Sequence, residues 1–152
     1  MKSVKSASLV VILSLLIIPV NSAAQDINVT KLIGKSLDSA IKILGRPAHQ
    51  DRSNEEMECV FYKSKNHQII LVANKQGIYQ AEAMKGYNDK QSAQNMLHSI
   101  IAEALKSGCV VDTVNTTEYN IDKKGCEANV ILMENPSSKK FEVRIKANRR
   151  EG

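Results

Sequence analysis

Three cysteines, three histidines and one run of carboxylates are the side chains of this sequence whose types could support chemistry. A thiol nucleophile needs a base within hydrogen-bond reach and a third group to orient that base. Cys59 with His67 or His98 is the pairing available for a small Cys/His-dependent enzyme. The simpler reading is that Cys59, alternating with Met57 and Phe61, lies on one strand face as core or as half of a disulfide. His49, His67 and His98 sit on separate segments without Cys-x-x-Cys or His-x-x-x-His spacing, so no metal site is expected. Asn54-Glu55-Glu56-Met57-Glu58 carries adjacent carboxylates ahead of a strand. Such carboxylates can serve acid-base catalysis at a controlled separation, but adjacent glutamates in a loop read as a solvated edge. The expectation is a non-enzymatic protein with no catalytic residue, no metal and no cofactor.

Residues 1–24 read as a cleaved secretory signal. Lys2 and Lys5 precede a nearly unbroken apolar run from Leu9 to Ile18, and Pro19, Asn21, Ser22, Ala23 and Ala24 supply a break and small residues for cleavage. Ten helical residues rise only about 15 Å, half the thickness of a hydrocarbon core, so stable insertion in a membrane is not expected. No Cys lies near the junction to carry a lipid. The chain is expected in the periplasm or outside the cell, where three cysteines imply one disulfide and one leftover thiol. Cys109 and Cys126, each following a Gly, are the first pairing; Cys59 with Cys109 is the rival. If 109–121 were one continuous strand, Cys109 would lie roughly 40 Å from Cys126, so the first pairing requires a break near Asn115-Thr116-Thr117.

The chain of 152 residues carries +5 formally, with 43% hydrophobic and 4% aromatic residues. This excludes a stacking platform for single-stranded nucleic acid, and the apolar content is that of a folded rather than a disordered chain. The basic excess belongs to one end: residues 135–152 hold Lys139, Lys140, Arg144, Lys146, Arg149 and Arg150 against Glu142 and Glu151. Alternating Lys and Arg on an edge strand discourages aggregation. The functional alternative is a partner-binding set of those six residues, facing an acidic surface or cleft of another protein. No nucleic-acid partner is expected, because no aromatics interleave with the cations.

These residues must be carried by elements that the pattern outlines. Ser36 to Gly45 predicts a short helix, capped by Ser36, stopped by Gly45 and barred by Pro47. Strands are expected over Met57–Tyr62, His67–Asn74 and Ile78–Met84, close enough in sequence for hairpins. Between Asp89 and Lys106 the positions Ala93, Met96, Leu97, Ile100, Ile101, Ala104 and Leu105 follow helical spacing. A β-rich block follows: Cys109–Ile121, Cys126–Met133, and a last strand in which Phe141, Val143 and Ile145 alternate with Glu142, Arg144 and Lys146. The expected class is α+β: helix, three-stranded antiparallel meander, helix, three-stranded antiparallel block. A single compact domain over 25–152 is favoured over two α-β3 units at 31–86 and 88–148, since each unit alone would bury a marginal core.

The segment Leu32-Ile33-Gly34-Lys35-Ser36-Leu37-Asp38-Ser39-Ala40-Ile41-Lys42-Ile43-Leu44-Gly45-Arg46-Pro47 resembles the opening of small outer-membrane assembly lipoproteins of the SmpA/OmlA type and of the β-lactamase-inhibitor-protein fold. Phe61-Tyr62 and Gly77-Ile78 sit where that pattern has an aromatic strand and a turn, so the resemblance spans Leu32 to Met84. It implies a helix followed by a meander. The lipidated Cys of the lipoproteins has no counterpart here, and tandem α-β units are found in inhibitor-type members. The resemblance therefore implies a secreted binder of another protein, of inhibitor or immunity type. An envelope-assembly or structural accessory protein is the alternative.

Overall fold

In the computed structural model, which describes residues 27–150, two capped helices and eight strands follow a single 3-10 turn at Val29–Leu32. The expected signal lies outside the described residues. Helix α1 (Leu37–Leu44) begins where the Ser36 side chain accepts the Ser39 N–H, and ends at Gly45, whose φ of 86° suits a residue without Cβ. Strands β1 (His49–Asp51), β2 (Glu58–Lys63), β3 (His67–Asn74) and β4 (Gly77–Tyr87) then form an antiparallel meander. Helix α2 (Lys90–Lys106) starts at Asp89, whose carboxylate accepts the Ser92 N–H at 2.8 Å. A second meander follows in β5 (Val110–Asn115), β6 (Glu118–Lys123), β7 (Cys126–Glu134) and β8 (Phe141–Arg149).

The two meanders are one sheet. Its order is β1-β2-β3-β4-β8-β7-β6-β5, all antiparallel, with the last strand of each meander meeting at the centre. This overturns the expected α+β arrangement of two helices alternating with three-stranded blocks: each block has four strands, and the fold is predominantly a single eight-stranded sheet. Two local features account for the difference. His49–Asp51 pairs with Cys59–Phe61 through three polar, exposed residues that carry no hydrophobic alternation. The run Cys109–Ile121 is divided by a turn in which Asn115 accepts both the N–H and the hydroxyl of Thr117.

Strand alternation gives the sheet two unlike faces. On one, Val60, Leu71, Ala81, Ala147, Ala128 and Ile121 lie in a row across six strands, all buried. The three alanines fall on β4, β8 and β7, the strands against which the 3-10 turn packs, and their small side chains permit that close approach. Helix α2 buries Ala93, Leu97, Ile100 and Ala104 against the same side, and α1 buries Leu37 and Ala40. Glu103 ties helix to turn, accepting from Lys31 Nζ and from Asn28 Nδ2. Tyr62, at the end of the same face, donates its hydroxyl to the Gly45 carbonyl at 3.1 Å and so fastens β2 to the end of α1.

Candidate functional site

The other face of the sheet carries the residues that alternate with the core, and the ladder fixes their neighbours. One row crosses all eight strands: His49, Phe61, Ile70, Glu82, Lys146, Asn129, Asn120 and Asp112. The row beside it contains Cys59, Val72, Gln80, Asn148, Glu127 and Asp122, and on the other side lie Met84, Arg144, Ile131 and Glu118. Phe61, Ile70, Val72 and Met84 are each half-buried; Phe61 lies opposite Ile70 and Cys59 opposite Val72, with Met84 diagonal to Ile70, which makes an apolar patch across β2, β3 and β4 beside Cys59. A side chain half-covered by its cross-strand neighbours still presents its other side outward.

Charge on this face is graded. Arg144 and Lys146, both on β8, lie near Glu82 of β4; Arg144 Nε is 3.5 Å from the Glu82 carboxylate. Beyond them Glu118, Asp122, Glu127 and Asp112 occupy face positions on β5–β7, strands that contribute no Lys or Arg to this face. Asn129 donates to Glu118 and to Asn120, at 3.0 Å each, fixing the amide ladder between the cations and the acids. The surface dips here into a shallow basin of about 730 Å³ that includes Glu82, Asp112, Asp122, Glu127, Arg144 and Lys146 in its wall.

The six cations expected to act together are divided three ways. Arg144 and Lys146 are on this face, in a central strand. That corrects the reading of their alternation as edge protection, because β8 is flanked by β4 and β7. Lys139 and Lys140 belong to the turn before β8, where Lys140 donates to Asn66 at 2.7 Å. Arg149 and Arg150 are at the opposite end of β8; Arg149 donates to the Gln76 carbonyl and Arg150 pairs with Asp122.

The cysteines are free thiols. The break at Thr116-Thr117 folds β5 back along β6, so that Cys109 and Cys126 line one small cavity of about 80 Å³ with Asn28, Lys31 and Lys123. Lys123 pairs with Cys126, and continuing the β5–β6 register by one residue sets Cys109 on the other side of Lys123. Burial and the nearby Cys109 push the Cys126 thiol up from its ordinary pKa. The rival pairing has no geometry: Cys59 on β2 and Cys109 before β5 are six strand spacings apart, roughly 29 Å at about 4.8 Å each. Cys59 also projects from the face opposite His67, which is buried at the start of β3, and His98 is exposed on α2. Neither histidine is brought to Cys59. Glu55 and Glu56 are exposed and reach Lys75 at 3.2 and 3.5 Å.

The apolar patch was not singled out by sequence reasoning, although a signal for it existed. Ile69-Ile70-Leu71-Val72-Ala73 is an unbroken apolar run in a strand, which places apolar side chains on both faces of the sheet. The helices cover only one of them.

Neither a protein-family model nor a curated protein matches the chain. Among solved structures, a cysteine-rich secretory protein from Staphylococcus aureus is similar at 14% identity and a TM-score of 0.41. The match covers 76% of this chain and 44% of that one, so the chain spans less than half the length of that protein. Among the described residues no helix is long and apolar enough to cross a membrane.

Proposed function

We propose that this chain is a small exported protein that acts by binding another protein in the periplasm or outside the cell, as an inhibitor or immunity-type factor. The observation that carries the reading is the uncovered face of the sheet, where Phe61, Ile70, Val72 and Met84 form a half-exposed apolar patch bordered by charged side chains. An apolar centre with a polar rim is the anatomy of a protein interface, and a continuous sheet supplies the rigidity that reduces the entropic cost of binding. The mechanism is occlusion: a pre-formed surface covers a partner's cleft by shape and charge, with no chemistry. The resemblance of Leu32–Met84 to the inhibitor-protein fold and the signal-like residues 1–24 support the same reading.

The test is affinity capture from periplasmic and culture fractions with the wild-type protein and with Ile70→Asp, followed by mass spectrometry. One hydrolase or toxin recovered in near-equal amount by the wild type, and lost with Ile70→Asp at unchanged circular dichroism, is the expected result. Recovery of envelope-assembly components instead favours the accessory role. Recovery that Ile70→Asp does not alter overturns binding through this face.

A further inference from the structure

We infer that the partner presents a basic segment, one or more Lys or Arg side chains next to an apolar residue, with the cations over β5–β7 and the apolar residue against Phe61, Ile70 and Met84. This rests on the proposal that the uncovered face binds protein, and adds the chemistry of what it binds. The sequence alone points to the reverse, an acidic partner, because it counts the six cations near its end as one group. In the folded chain Arg144, Lys146 and Arg150 of that group reach the face, and two of them are engaged there, Arg144 by Glu82 and Arg150 by Asp122. Asp112, Glu118, Asp122 and Glu127 all fall within residues 112–127, and the register of the second meander sets Asp112, Asp122 and Glu127 in the basin wall, on strands about 4.8 Å apart. Asp122 is shared with Arg150 and Glu118 with Asn129, whereas Asp112 and Glu127 are exposed on strands that offer this face no cation.

Complementarity then fixes orientation as well as sign. A cation approaching the β8 end meets Arg144 and Lys146 and is repelled; one approaching the β5–β7 end meets the carboxylates of Asp112 and Glu127 beside the Asn120 and Asn129 amides, with Arg150 already paired to Asp122. Unlike-charge approach raises the association rate and like-charge approach excludes the wrong register. The apolar patch on β2–β4 lies two to six strands from the carboxylates, roughly 10–29 Å, a span that one loop or hairpin of a partner covers.

The experiment selects disulfide-closed decapeptides from a displayed library against the protein purified from the periplasm of expressing cells, then measures the winners on variants. The expected winners are rich in Lys and Arg, lose at least tenfold in affinity on the double variant Asp112→Lys with Glu127→Lys, lose at least tenfold on Ile70→Asp, and weaken as salt is raised. Lys139→Glu, in the turn, leaves them unchanged. Winners that are lost on Ile70→Asp but are acidic, or that keep their affinity on the double charge variant, overturn the basic partner while leaving binding through the face intact. Winners indifferent to every face substitution overturn both. Asp112 and Glu127 are exposed, so their replacement leaves the core untouched; Val72→Lys substitutes for Ile70→Asp if that variant fails to fold.

Discussion

The carbonyl oxygen of Gly34 lies 2.7 Å from where a Cβ on Gly77 would be, and the Lys35 carbonyl lies 2.9 Å from the same point. The two glycines are brought together by a backbone exchange: the Gly34 N–H donates to the Ile78 carbonyl and the Ile78 N–H to the Lys35 carbonyl, both at 2.8 Å. The β3–β4 turn is thereby clamped onto the loop that leads into α1. Gly77→Ala meets both a φ of 104° and this clash, and should cost about 3 kcal/mol. Gly125→Ala, at φ 80° with open space around it, should cost only about 1 kcal/mol. Urea denaturation of the two variants checks the difference.

Ile69 and Ile70 are consecutive and face opposite ways. Ile69 is 1% exposed in the core, whereas Ile70 sits on the uncovered face. Ile69→Asp should unfold the protein or cost about 4 kcal/mol or more, because it buries a charge without a partner. Ile70→Asp should melt within a few degrees of the wild type, which corresponds to about 1 kcal/mol or less. Thermal melts followed by circular dichroism read both.

Burial and the neighbouring Lys85 hold the His67 imidazole below its ordinary pKa of 6.5. The unfolded chain therefore takes up a proton on this group at a higher pH than the folded one does. The stability from keeping it neutral is present above pH 6.5 and declines as pH falls through that value toward the folded pKa. His67→Gln should flatten the stability curve between about pH 7 and 5. Glu103, held below its ordinary 4.5 mainly by the Lys31 hydrogen bond, adds a second loss at more acid pH. Denaturant midpoints measured across the range separate the two groups.

Thiolate chemistry orders the cysteines. Cys126 is buried with its thiol pushed up, and Cys59 is half-exposed on the uncovered face. Iodoacetamide applied to the reduced, folded protein should modify Cys59 before Cys126, as peptide mass mapping of a time course will show.

Both helices, the caps of the first and five of the eight strands were legible from sequence, because Ser36 and Gly45 act on their own chain neighbours and because β3 and β8 carry strong apolar patterns. The four-strand blocks were not. His49-Gln50-Asp51 pairs by backbone alone, so nothing in its side chains announces a strand. The position of β8 was equally hidden. Alternation of Val143 and Ile145 with Arg144 and Lys146 declares one wet and one dry face, but it does not say whether the strand has one neighbour or two. The candidate site depends on that missing information, since Asp112 and Glu127 become neighbours of the same basin only through strand order.

Seating β8 beside β4 also governs the order in which the sheet can be assembled. Gln80 pairs with Asn148 and Tyr87 with Phe141, so this seam joins residues more than fifty positions apart, with α2 and three strands between them. Until β8 is in place, β4 has an open edge of eleven residues and the first meander has no second half. Contacts this distant in sequence slow folding, because their loop must close before they contribute. A chain made N-terminal end first would thus carry an incomplete sheet until its final strand arrives, and the seam at β4 and β8 is the joint at which holding factors, or a mispaired neighbour, would act.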